Sequence, residues 1–260
     1  MRWATPILVL ALVGIPSPGS SAAARPIVVV AANQSFNWSG YVQGSLEPGK
    51  KPFHSIAATW IVPTATPHRA GEAEYSSSWI GIGGGCLDTS CMVTDATLIQ
   101  AGIGHDIDAA GNARYYAWWE TIPAPLIEVA LPVHPGDRVG VAIVENRIPE
   151  IWTIVIANFT TQGVFTTTLP YASTYGSAEW VIETPVVISE TGAVSVGPMP
   201  NLSVVRFDYA RANGASARFV PAEQMQLVDF DLTLIATPSL PDARGDGFND
   251  CTYTATCPAP

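Results

Sequence analysis

Two glutamates, a glutamine and several tryptophans are the residues of this 260-residue chain whose types and spacing suit chemistry. They fall in four short segments: SWIGIG at Ser78 to Gly83, LIQAG at Leu98 to Gly102, YYAWWE at Tyr115 to Glu120 and AEWVIE at Ala178 to Glu183. Read as strands, alternate residues share a face. Trp79, Gly81 and Gly83 then align, as do Leu98, Gln100 and Gly102, Tyr116, Trp118 and Glu120, and Glu179, Val181 and Glu183. The opposite faces carry Ile80, Ile82, Ile99, Ala101, Ala117, Trp119, Trp180 and Ile182, which suit a core. A carboxylate on the first face could take a proton from an attacking water and return it to a leaving group. A glutamine amide beside it could donate to a developing oxyanion without itself titrating. Glycines among these residues imply room for a ligand backbone.

Other chemistries find less support. Nucleophilic catalysis needs a base beside Ser or Cys, and the four histidines are His54, His68, His105 and His134. His105 follows a predicted strand and His134 precedes a Pro-Gly turn, so both read as loop residues. Neither a G-x-S-x-G elbow nor an HExxH helix is present. The four cysteines fall in close pairs, favouring local bridges 86–91 and 251–257 among three possible connectivities. Their spacing and the lack of a neighbouring histidine argue against zinc. The stretch Asp242 to Asp250 resembles part of a calcium loop, lacks the closing Glu, and reads as a turn. No metal or cofactor is expected.

The elements that must position these groups are strands. Runs rich in Val, Ile, Thr, Trp and Tyr recur between Gly, Pro, Asn and Asp clusters. They cover Ser55–Val62, Trp79–Ile82, Thr97–Gly102, Ala113–Glu120, Arg138–Val144, Trp152–Asn158, Gly163–Leu169, Glu179–Glu183, Ser203–Ala210 and Gln226–Ile235. So many short strands without a linker or repeat predict one all-β domain, a β-sandwich of two stacked antiparallel sheets of the jelly-roll kind.

Residues 1–24, with Arg2, the apolar run Pro6 to Ile15 and Ala22 to Ala24, read as a secretory signal. Residues 25–36 read as a short leader or edge segment, and 37–260 as the domain. Charged residues make up 13%, with 22 acidic against 12 basic side chains. That balance excludes nucleic acid as a partner, and nothing after the signal predicts membrane insertion. A secreted monomer tolerant of low pH is expected.

NWSGYV at Asn37 to Val42, ATWIVP at Ala58 to Pro63, SSWIGIGG at Ser77 to Gly84, LIQAG, YYAWWE and AEWVIE occur in the order found in eqolisin-type glutamic peptidases, which the chain resembles. The resemblance implies a two-sheet sandwich and an acid endopeptidase acting on protein or peptide substrates without metal or acyl-enzyme. It assigns Gln100 as the oxyanion donor and Glu183 as the base, with Trp79, Trp118 and Glu120 lining or supporting the cleft. An acid working range further implies that hydrogen bonds keep Glu183 near an ordinary carboxylate pKa. The family pattern carries an Asp where this chain has Gly83, so a carboxylate that would help hold the water is missing there. Two other activities suit the same face: glycoside hydrolysis by Glu120 and Glu183, and lectin-like binding on Trp79, Trp118 and Trp119.

Overall fold

The computed structural model describes residues 27–188 and 194–260. The expected signal, residues 1–24, lies outside the described residues. Two antiparallel sheets pack face to face. The front sheet runs, in spatial order, Ile127–Val129, Ala113–Thr121, Ile99–Ile107, Ser77–Ile82, Ser177–Glu183, Trp38–Gly44 and Gln224–Val228. The back sheet runs Gly163–Pro170, Ile151–Asn158, Arg138–Glu145, Ser55–Ile61, Val205–Ala212, Phe248–Thr252 and Leu234–Pro238. Gln224–Val228 belongs to both, pairing with Tyr41 and Gly40 in front and with Ala236 and Leu234 behind.

The layers meet where alternation predicts. Ile80, Ile82, Ile99, Ala101, Ala117, Trp180 and Ile182 pack against Trp60, Val141, Ile143, Trp152, Ile154 and Phe207 of the facing sheet. Burial of each large side chain contributes about 1.5–3 kcal/mol. Both predicted disulfides, Cys86–Cys91 and Cys251–Cys257, are present and clip loops instead of tying the core.

Two predicted elements differ. Gln226–Ile235 is two strands, because Asp229 Oδ1 accepts the Asp231 and Thr233 N–H groups and closes a turn between them. The predicted strand ending at Gly102 continues to Ile107, so His105 is a buried strand residue and not a loop residue. Its ring contacts the Ser76 and Ser78 hydroxyls, and burial lowers its pKa to about 3. A fully enclosed imidazole of this kind has no path to substrate.

The glycines on the front face do not leave open floor. A Cβ on Gly102 would lie 2.4 Å from Trp79 Cβ, one on Gly81 2.8 Å from Trp79 Cζ3, and one on Gly104 2.2 Å from the Tyr116 ring. The Trp79 and Tyr116 rings occupy the space at Gly81 and Gly104, and the Ser78 carbonyl and the Trp79 Cβ occupy it at Gly102. Gly102→Ala should therefore overpack the Trp79 site and destabilise the fold by about 1–3 kcal/mol. Urea unfolding checks this, and an unchanged midpoint would show that the adjacent strands yield freely.

Candidate active site

Strand register sorts the predicted site residues into three rows on the front face. Glu120, Gln100, Gly81 and Glu179 lie side by side across four strands. Trp118, Gly102, Trp79 and Val181 form the next row, and Tyr116, Gly104, Ser77, Glu183 and Trp38 the one beyond. Gln100 and Glu183 thus share a face, two strands and four residues apart, on the order of 15 Å between Cα atoms by ordinary sheet spacing. Trp79 stands on the diagonal between them. The two side chains bond different partners, Gln100 to Glu120 and Glu183 to Trp79 and Asn37.

Gln100 is anchored by Glu120, whose Oε2 accepts one Nε2 hydrogen at 2.6 Å. An amide NH₂ has two donors, and the Glu120 bond uses one of them. Gln100 Oε1 and Trp118 Nε1 have no protein partner among the described residues. Burial pushes the Glu120 carboxyl up to about 7, against the lowering effect of the Gln100 bond.

Glu183 lies among indoles. Its Oε2 accepts the Trp79 Nε1 hydrogen at 2.7 Å, and its Oε1 the Asn37 Nδ2 hydrogen at 3.4 Å. Trp38 and Trp79 pack edge to face with centroids 4.9 Å apart. Burial drives the Glu183 pKa up to about 8; Trp38 opposes it most, Glu120 adds to it, and Trp79 and Asn37 oppose it. The Trp38 Nε1 lies outside hydrogen-bond geometry, so its influence is that of a nearby dipole. Glu183 is half-exposed toward the cleft, where solvent relieves part of the burial. The expectation of a near-ordinary pKa is nonetheless overturned: three polar neighbours do not offset the apolar wall and a second carboxyl.

Gly83 is not a cleft-lining position. It turns the chain with φ of +90°, and a Cβ there would meet Thr97 O at 2.0 Å. The loop it starts folds back over the face and brings Gly85 against Glu179, whose Oε1 lies 2.5 Å from where a Gly85 Cβ would be. Glu179 is enclosed, neither of its oxygens has a partner among the described residues, and burial raises its pKa well above the usual range. Sequence reasoning gave no role to Asn37 or Trp38, although both stand in NWSGYV. The Asn37 contact with Glu183 spans 146 residues of chain, Trp38 is the register partner of Glu183 on the adjacent strand, and no periodicity signals either.

Among the described residues, Asp208, Asp242 and Asp246 form the one three-ligand group able to hold a metal. It lies away from this cleft, and the Arg244 guanidinium, 3.4–3.6 Å from all three carboxylates, already compensates its charge.

A sequence profile described as the Peptidase A4 family matches residues 36–238. The crystal structure of scytalido-glutamic peptidase with a transition state analog inhibitor superposes with a TM-score of 0.61 at 18% identity, over 85% of this chain and 99% of that one. SCP-B, a member of the eqolisin family solved with the tripeptide Ala-Ile-His, gives 0.60 at 18%, with the same coverage. Aspergilloglutamic peptidase from Aspergillus niger gives 0.51 at 22%, over 69% of this chain and 99% of that one. At these identities the structural likeness concerns the fold. No curated protein matches the chain.

The enclosed carboxyls predict how stability varies with pH. Glu179 and Asp250 have folded pKa values raised well above the usual range by burial. In the unfolded chain they ionise near about 4. Below that pH both states are protonated and stability is fully present. Above it the unfolded state releases protons first, and stability falls as pH rises toward the folded pKa values. Urea midpoints should decline from pH 4 to pH 8, and Glu179→Gln with Asp250→Asn should flatten the decline. A midpoint that rises over this range would contradict the assignment.

Proposed function

The chain belongs to the Peptidase A4 family and is a glutamic-type peptidase, and from that premise we propose that Glu183 and Gln100 carry out its hydrolysis of peptide bonds. The observation that supports this reading best is the common face: a carboxylate held by indole and amide donors and a glutamine amide anchored by Glu120 stand on the same side of the front sheet.

Ionised Glu183 takes a proton from a water as that water attacks the scissile carbonyl. The second N–H of the Gln100 amide donates to the oxygen on which negative charge develops. Collapse of the tetrahedral intermediate expels the amine, which receives the proton from Glu183, and the carboxylate is restored. Glu120 fixes the rotation of the Gln100 amide, while the buried Trp79 and Trp118 pack in the apolar cluster around the two groups. Neither a metal nor a covalent intermediate is needed by this sequence of steps. We further propose that the protein is exported and works as a monomer.

A base with its pKa pushed up to about 8 by burial is mostly protonated in strong acid. The proposal therefore has kcat/KM low in strong acid and rising through mildly acid pH as Glu183 ionises. This differs from the acid range implied by the resemblance.

Digestion of a denatured protein at mildly acid pH tests the assignment. Glu183→Gln should reduce kcat by about 10²–10⁴-fold and Gln100→Ala by about 10²–10³-fold, with chelators having no effect. Full activity in either variant would remove that residue from the mechanism.

A further inference from the structure

The polar groups behind Glu183 form a relay of hydrogen bonds whose direction can be worked out atom by atom. Ser35 Oγ accepts the backbone N–H of Asn37 at 3.0 Å and of Trp38 at 2.8 Å. With both acceptor sites used, its own hydrogen goes to Asn37 Oδ1, 2.9 Å away. The Val28 backbone N–H donates to the same Oδ1 at 2.9 Å. Two fixed donors on one oxygen decide which end of the amide is which. The NH₂ is thereby left facing Glu183 Oε1 at 3.4 Å. Ser35 and Asn37 are 0% and 1% exposed, so water does not compete for these bonds.

The donor on Val28 comes from a segment laid over the catalytic face. Ile27 is buried in the same apolar cluster as Trp38, Trp79, Trp118 and Val181, and its N–H donates to Gly84 O at 3.2 Å. Val29–Ala31 pairs with Gln34–Ser35, which runs parallel to Gln226 and Leu227. The residues that hold Asn37 are thus tied to both the cleft and the sheet.

We propose that Asn37 is a positioning residue for Glu183, locked by Ser35 and the Val28 backbone so that its NH₂ donates to the carboxylate and keeps the ionised form available. This rests on Glu183 being the base. Among the described residues, the charged or titratable groups on this face are Glu120, Glu179 on the Glu183 strand, and Asp106 and Tyr116, bonded to each other at 3.0 Å, on the second and third strands from it. Arg114, the cation at this rim, stacks on Tyr116 and pairs with Glu128. The carboxylate therefore depends on neutral donors, and Asn37 supplies one of the two that bond it.

The test is the pH dependence of kcat/KM for the full chain, with Asn37→Ala, Asn37→Asp, Ser35→Ala and Ser35→Thr, and Glu183→Gln as control. Removing the donor in Asn37→Ala, or unlocking the amide in Ser35→Ala, should move the acid limb upward by roughly half to one pH unit. At mildly acid pH that is a loss of about three- to tenfold in kcat/KM. Ser35→Thr should restore the native limb, and Asn37→Asp, which keeps the acceptor but replaces the NH₂ with a second carboxyl, should raise it further. Should Asn37→Ala fail to fold, the two Ser35 variants and Asn37→Asp decide the matter. A folded variant that loses activity equally at every pH, with the limb unmoved, overturns the positioning role. If Glu183→Gln retains native activity, the reading of Glu183 as base has failed instead, whatever the Asn37 variants do.

Discussion

Keeping a carboxylate ionisable inside a wall of indoles is the constraint on which this cleft depends. Glu183 lies where Trp38 and Trp79 exclude much of the solvent, and burial alone would hold it protonated. The Trp79 Nε1 hydrogen bond of 2.7 Å and the Asn37 amide oppose that pull. The Trp79 ring lies where it does because Gly81, two residues along the same strand, leaves no Cβ in its way, and Gly102 lets the adjacent strand pass close to the Trp79 backbone and Cβ. A polar contact at the catalytic position thus depends on missing methyl groups beside Trp79.

The second half of the site depends on strand register. Gln100 and Glu120 are directly paired residues, so the short bond between them follows from the pairing of two long strands. A slip of one residue would turn both side chains into the core. Ile99, Ala101 and Trp119 resist such a slip because they pack between the sheets. Core packing behind the sheet therefore fixes the rotation of the amide in front of it. Enclosed carboxyls at Glu179 and Asp250 add a second trait, a fold that is most comfortable when they are protonated.

Much of this was legible in the sequence, for a simple reason. Two-residue alternation holds in the four strands that carry the site residues, so Gln100, Glu120, Trp79, Trp118 and Glu183 could be placed on one face, and the two-layer sandwich follows from strand number and spacing. What was not legible depends on contacts between distant segments. His105 read as a loop residue because the apolar run stops at Gly102, yet the strand continues, with Glu74 pairing to Ile107. The glycines read as open floor because the side chains and backbone that fill that space are brought there by folding. Gly83 read as a cleft position because alternation carries on past the strand end, whereas its positive φ turns the chain away. Asn37 and Trp38 belong to the site through tertiary contact alone.

The most direct measurement is a crystal structure of the protein with a peptide carrying a tetrahedral transition-state mimic at the scissile position. One oxygen of the tetrahedral centre is expected within hydrogen-bond distance of Gln100 Nε2 and another within reach of the Glu183 carboxylate, with Glu120 still bonded to Gln100. A mimic bound with its tetrahedral centre away from either Gln100 or Glu183 would contradict their joint role in hydrolysis.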